Sequence, residues 1–232
     1  MSRASGLSRT ALEYQGYYKS RTRTRARREE ASATRVALPC ASVLRRAAAD
    51  TYGLSEDQER EMILDSIATI ERHTGTKPAG YLAPALSHSE VTLDLFAEAG
   101  GIYTCDLFHD DQPTPVRTRS GAKFISVPYS LEMNDTIAYA VNKVEPRRYG
   151  QMIKDNFDRL YEEGDTSGTV MCIPTHNYQV SCPHRMRAFE EALEYITGHS
   201  NVWVTTGREI ADYFVDHYYD AVTADIAAKQ EI

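Results

Sequence analysis

The apolar run from Val170 to Ile173 delivers a histidine, His176, to its carboxyl end, and the loop that follows closes on Pro183 where a helical pattern begins. In α/β sheets, ligands and reacting groups gather at the carboxyl ends of strands, and an imidazole there can hold or release a proton near neutral pH. His176 is therefore the first candidate for an acid or base; the competing reading makes it a strand cap bonded to a loop carbonyl. Two adjacent carboxylates, Asp110 and Asp111, follow another strand-like run and have the types needed to share a proton or hold a polar substrate. Adjacent loop residues usually point apart, so the favoured reading has one capping a turn and the other solvated. Tyr129, Asn134 and Asp135 end the run that stops at Val127, where they would line the same mouth. Asn134 and Asp135 also serve as plain turn formers. His184 with Arg185 at a helix start offers an anion site, against the simpler expectation that Arg185 pairs with an acidic neighbour.

These residues need strands to carry them and helices to cross between the strands. Ser55 with Gln58 forms a capping box, and Met62, Ile63, Ile67 and Ile70 recur at helical spacing up to about His73. A short strand at GYLAP, from Gly80, follows. Ser87 with Glu90 is expected to cap the next helix, whose apolar face is Val91, Leu93, Leu95 and Phe96, before Gly100 and Gly101 end it. Strands are expected at Ile102 to Cys105 and Lys123 to Val127, separated by a polar loop with Pro113 and Pro115. Pro146 opens a helix to about Glu163, and Pro183 another to about Gly198. Val202 to Val204 is a last strand, and Thr206 with Glu209 caps a helix through Tyr219. A doubtful sixth strand lies in Val36 to Leu44, with Pro39 arguing for a sheet edge. Strands alternating with helices predict parallel βαβ units in an α/β fold.

The 232 residues, 42% of them hydrophobic, suffice for one domain with a sizeable core. No window approaches the roughly 18 consecutive apolar residues of a membrane span. Cys40, Cys105, Cys172 and Cys182 are scattered with no CxxC pair and no metal-finger spacing. Cys105 and Cys172 fall in apolar runs and read as buried thiols, which favours a reducing, cytoplasmic setting. Charge is split: residues 1–50 hold 11 Lys or Arg against 4 Asp or Glu, and the remaining 182 hold 15 against 29. Residues 1–46, with RTRTRARREE from Arg21, are read as a basic, disordered or poorly packed segment, and 47–232 as the α/β domain. Nucleic-acid binding is not expected of the basic stretch, which lacks interleaved aromatics and carries Glu29 and Glu30.

Three stretches resemble the polysaccharide deacetylase (NodB-homology) superfamily, nearest its branch of peptidoglycan deacetylase-like proteins and metal-independent allantoinases. GYLAPALSHSEVTLDLFAEAG, from Gly80, is similar to the family's Gly-aromatic-Arg-x-Pro strand and following helix, which makes Pro84 a substrate-binding candidate. DLFHDDQPTPV, from Asp106, with SVPYSLEMND, ending at Asp135, is similar to the branch's paired-Asp loop and Pro-Tyr-Ser-Leu-x-x-Asn-Asp strand end. THNYQVSCPHR, from Thr175, resembles the late His-Pro-x-x-x-Gly-x-Pro-x-Arg motif. The resemblance implies a (β/α) barrel of about seven strands that hydrolyses a carbon–nitrogen amide bond, with an N-acetylated glycan or a small amide as substrate. It also implies a divalent metal, usually zinc, held by one Asp and two His, and a late-motif histidine, here His176, that protonates the leaving amine.

Much of that machinery has no counterpart in the sequence. Neither Thr-Phe-Asp-Asp-Gly nor His-x-x-x-His occurs, and no histidine precedes His73. Leu82 stands where the family carries Arg, and Asn177, Ser181 and Cys182 replace residues of the late motif. The expectation is an incomplete (β/α)7-type barrel, truncated at its amino-terminal side, without bound metal and with impaired activity. The alternatives are an allantoinase-like cyclic amide hydrolase and an inactive binding or remnant subunit. A homo-oligomer is left open and no membrane partner is expected.

Overall fold

The computed structural model describes Thr34–Ala37, 53–83 and 87–230. Helix α1, Glu56–Thr74, starts from the expected capping box: the Gln58 N–H donates to Ser55 Oγ at 3.3 Å and the Ser55 N–H to Gln58 Oε1 at 2.9 Å. It stops at Gly75, whose φ of 71° few other residues adopt without strain. Helix α2, Thr92–Glu98, does not use the expected Ser87 and Glu90 cap. Glu59, 1% exposed on α1, accepts hydrogen bonds from the hydroxyls of Ser89 and Thr92, and Ser89 Oγ takes the Val91 N–H. The N-cap position itself is Val91, with no side-chain cap bond, and the tertiary partner Glu59 holds the start of the helix instead.

Strands β2, Gly80–Tyr81, and β3, Tyr103–Thr104, flank α2 and pair in parallel, and β3 pairs in parallel with β5, Ile125–Ser126. Strand β4, Thr114–Pro115, falls in the expected polar loop and pairs antiparallel with β5, which gives the sheet order β2-β3-β5-β4. Pro115 sits there on an edge strand, the position where a missing N–H is tolerated. A second, all-parallel sheet has the order β6-β1-β7, from β6, Val170–Cys172, β1, Thr34–Ala37, and β7, Val202–Thr205. The expected edge strand is thus central, with Val36 opposite both Met171 and Val204. Its described part ends at Ala37, and Pro39 lies outside the described residues. The rest of the basic segment, 1–33 and 38–46, also lies outside them.

Ile125 and Val127 pack on Val170 together with Ile210 and Phe214, so the two sheets share one core. Among the described residues their hydrogen-bonded ladders remain separate. Helix α3, Pro146–Glu163, packs on the helix that links β6 to β7, Pro183–Gly198, around Tyr149, Ile153, Phe157, Leu193 and Ile196. The two backbones come so close that a Cβ on Gly150 would lie 2.7 Å from the Ala188 carbonyl oxygen. Helix α6, Gly207–His217, has the expected Thr206 and Glu209 box, and a further helix, Tyr219–Gln230, continues beyond it. Tyr213, Phe214, Tyr218 and Tyr219 pack as a stripe along these elements. No helix among the described residues is long and apolar enough to cross a membrane.

Candidate active site

Strand β6 is buried throughout, and Ile173 after it is 0% exposed, so the chain leaving the sheet is firmly anchored. His176 keeps extended backbone, φ −114° and ψ 126°, and opens a short helix, α4, Asn177–Val180. From the β5 side the chain meets this exit, with the Asp135 N–H donating to the Pro174 carbonyl at 3.1 Å. That contact sets the fully buried Asp135 carboxylate against His176 twice. Oδ2 accepts the His176 N–H at 2.8 Å and Oδ1 accepts from ring Nδ1 at 2.7 Å. Thr136 Oγ1 lies 3.0 Å from the same nitrogen. A carboxylate only accepts, so Nδ1 carries the proton in this contact and Nε2 is the nitrogen left for exchange. The ring is 20% exposed, enough for a ligand to reach it. A buried carboxylate behind a partly open imidazole orients the ring.

Asn134 continues the row: its Nδ2 donates to the Tyr129 hydroxyl at 2.9 Å and its Oδ1 takes the Thr136 N–H at 2.9 Å. Burial pushes the Tyr129 phenol up to about 12, so it stays protonated at neutral pH. Tyr129 lines a cavity of about 220 Å³ together with Asp111, Glu132, Asn156 and Cys172. Asp110 and Asp111 do not join His176. Asp110 is exposed and its Oδ1 takes the Gln112 N–H at 3.0 Å, a turn within its own loop. The Asp111 carbonyl accepts the Val170 N–H at 2.8 Å, at the opposite end of β6 from His176. Partial burial, with Asp110, Glu163 and Glu132 nearby, raises the Asp111 carboxyl above its ordinary value. Pro84 lies outside the described residues.

Sequence reading passed over one group. Asp106, 3% exposed past the end of β3, accepts the Ala83 N–H at 2.9 Å and the Thr104 hydroxyl at 3.1 Å. Burial raises its carboxyl despite those two bonds. Its place at a strand's carboxyl end was the available signal, obscured by the more conspicuous pair four residues on. Among the described residues Arg185 forms no ion pair with an acidic side chain: its guanidinium donates to the Gln179 carbonyl and Oε1, at 2.9 and 2.8 Å, and lies 4.2 Å from the Tyr139 ring centroid. It thereby ties α4 to a π-helical turn, Ile137–Val141, that begins two residues after Asp135.

Among the described residues, no three His, Cys, Asp or Glu side chains form a group that could hold a metal ion. The Asp135 carboxylate and His176 Nδ1 are committed to each other. The described donor set does not fit the divalent ion that the resemblance implies.

Alternating helices and mostly parallel strands define an α/β protein with a histidine and a carboxylate paired at a strand exit. No family model matches the chain. It is 28% identical over 194 residues to a peptidoglycan deacetylase of Helicobacter pylori (strain ATCC 700392 / 26695), over 70% of this chain and 65% of that protein. Among solved structures, PuuE allantoinase superposes with a TM-score of 0.67 at 28% identity, over 73% of this chain and 56% of that one. A probable polysaccharide deacetylase from Pseudomonas aeruginosa PAO1 gives 0.66 at 29% identity, over 72% and 56%. The chain is thus similar to proteins of the polysaccharide deacetylase superfamily. It spans between about half and two thirds of the length of these relatives.

Proposed function

We propose that this chain is a deacetylase-like hydrolase of non-peptide carbon–nitrogen bonds, acting on an N-acetylated glycan, with His176 as its general acid. The observation that carries the reading is the buried Asp135 carboxylate bonded to His176 Nδ1, which leaves Nε2 as the exchanging nitrogen. Water adds to the amide carbon, and the tetrahedral adduct collapses as protonated His176 gives its Nε2 proton to the departing nitrogen. Asp135 holds the ring in place for that transfer. The reading includes impairment, because the sequence lacks the family's Thr-Phe-Asp-Asp-Gly and His-x-x-x-His motifs. A cytoplasmic setting fits the free thiols of Cys105, Cys172 and Cys182.

The test is acetate release from N-acetylglucosamine oligomers by the full chain and by His176→Ala, with and without zinc, beside a parallel assay of allantoin loss. General acid catalysis contributes about 10²–10⁴ in rate, so His176→Ala should lose a factor of that order. Turnover of allantoin alone moves the substrate to a cyclic amide, in line with the allantoinase among the structural relatives. No turnover above His176→Ala in either assay rejects the hydrolase reading. An inactive binding subunit is the second reading, favoured by the missing motifs, and tight stoichiometric zinc binding by calorimetry counts against it.

A further inference from the structure

We infer that Tyr178 is the substrate-positioning platform of this site, a flat surface against which the pyranose ring of an N-acetylated glycan lies beside His176. The inference rests on the proposed function and extends it to a named residue that the family motifs quoted above do not contain. Tyr178 is 62% exposed, yet its ring centroid lies only 5.4 Å from that of His176. A large apolar ring left facing water beside a polar reacting group is what a stacking surface requires. The CH face of a sugar ring covers the aromatic face while its hydroxyls remain available to polar neighbours.

The ring has a fixed base. It stands on α4, whose carboxyl end is held by the two Arg185 bonds to Gln179, while Cys182 Sγ donates to the Tyr178 carbonyl at 3.6 Å. A platform pinned this way loses little conformational freedom when it binds. A second exposed ring closes the other end of the polar row. From Tyr178 the row passes through His176 to the buried Asp135, its chain neighbour Asn134 and Tyr129, and ends at Phe108, which is 41% exposed and 5.5 Å from the Tyr129 ring. Two exposed aromatic rings at the ends of this row suit a ligand of several sugar rings. A hydantoin-sized amide seated at His176 would leave Phe108 uncovered.

The experiment measures binding of the N-acetylglucosamine tetramer and of the monomer to the full-length chain, Tyr178→Ala and Tyr178→Phe, by calorimetry. Each variant's thermal midpoint and circular dichroism serve as a folding control. Aromatic stacking is worth enough that Tyr178→Ala should weaken the tetramer about tenfold, with Tyr178→Phe near wild type and the monomer bound far more weakly. Folded Tyr178→Ala that binds as tightly as wild type overturns the inference, and so does a wild-type chain that binds allantoin but no tetramer. Acetate release is scored separately. Tyr178-dependent binding without acetate release keeps the platform and removes the hydrolase reading. Acetate release with unchanged KM in Tyr178→Ala keeps the hydrolase and removes the platform.

Discussion

Asp135 and His176 stand 41 residues apart in the chain, and their contact can be measured as a coupling energy. Replacing Asp135 with Ala removes the acceptor of both the His176 N–H and ring Nδ1. One ordinary and one charge-assisted hydrogen bond are together worth about 3 kcal/mol. Replacing His176 with Ala keeps the bond from the main-chain N–H but leaves Oδ1 of a carboxylate with 0% exposure without its ring donor, at a cost of about 3 kcal/mol. In a chain of this size that lowers the thermal midpoint by roughly 6–12 °C. Once one partner is gone, removal of the second no longer breaks the ring bond. Urea unfolding of the four proteins of the cycle should therefore give a coupling of about 2 kcal/mol. Single-variant effects that add to within about 0.5 kcal/mol would refute the contact and the role built on it.

Three further outcomes follow from the packing and the buried charges. Gly150→Ala should destabilise by about 2 kcal/mol in urea unfolding, because its Cβ would meet the Ala188 carbonyl at 2.7 Å; a neutral or stabilising result contradicts the close approach of the two helices. Glu59→Ala should cost about 2–3 kcal/mol by leaving the Ser89 and Thr92 hydroxyls without their acceptor, whereas an exposed glutamate would cost almost nothing. Burial holds the Asp106 carboxyl above its ordinary 3.8, so its contribution is fullest with the proton on and is lost as pH rises through the folded-state value. Asp106→Asn should therefore narrow the stability difference between about pH 4 and about pH 7, and an unchanged difference would contradict the burial effect.

Local signals were legible. Ser55 with Gln58, Pro146, Pro183, and Thr206 with Glu209 each open a helix where their side chains satisfy, or cannot use, the free N–H groups of a first turn. What failed depended on distant partners. Glu59, 30 residues away, recruited Ser89 in place of Ser87. Strand β4 was hidden by Pro115, which reads as loop until an edge accepts it, and the central place of β1 between β6 and β7 has no local signature. The site divides in the same way. His176, Tyr129, Asn134 and Asp135 were recognisable by type and by their place at strand ends. That Asp135 sits beneath His176, while Asp111 lies at the other end of β6, is set by tertiary register alone.

The most direct measurement is the tautomer of the neutral His176 ring, read from nitrogen chemical shifts in the full-length chain and in Asp135→Ala. The account predicts a proton on Nδ1 and a bare Nε2 in the wild-type protein, with that preference lost in Asp135→Ala. A wild-type ring protonated on Nε2 would contradict it, since the nitrogen meant to exchange a proton with substrate would then be the wrong one.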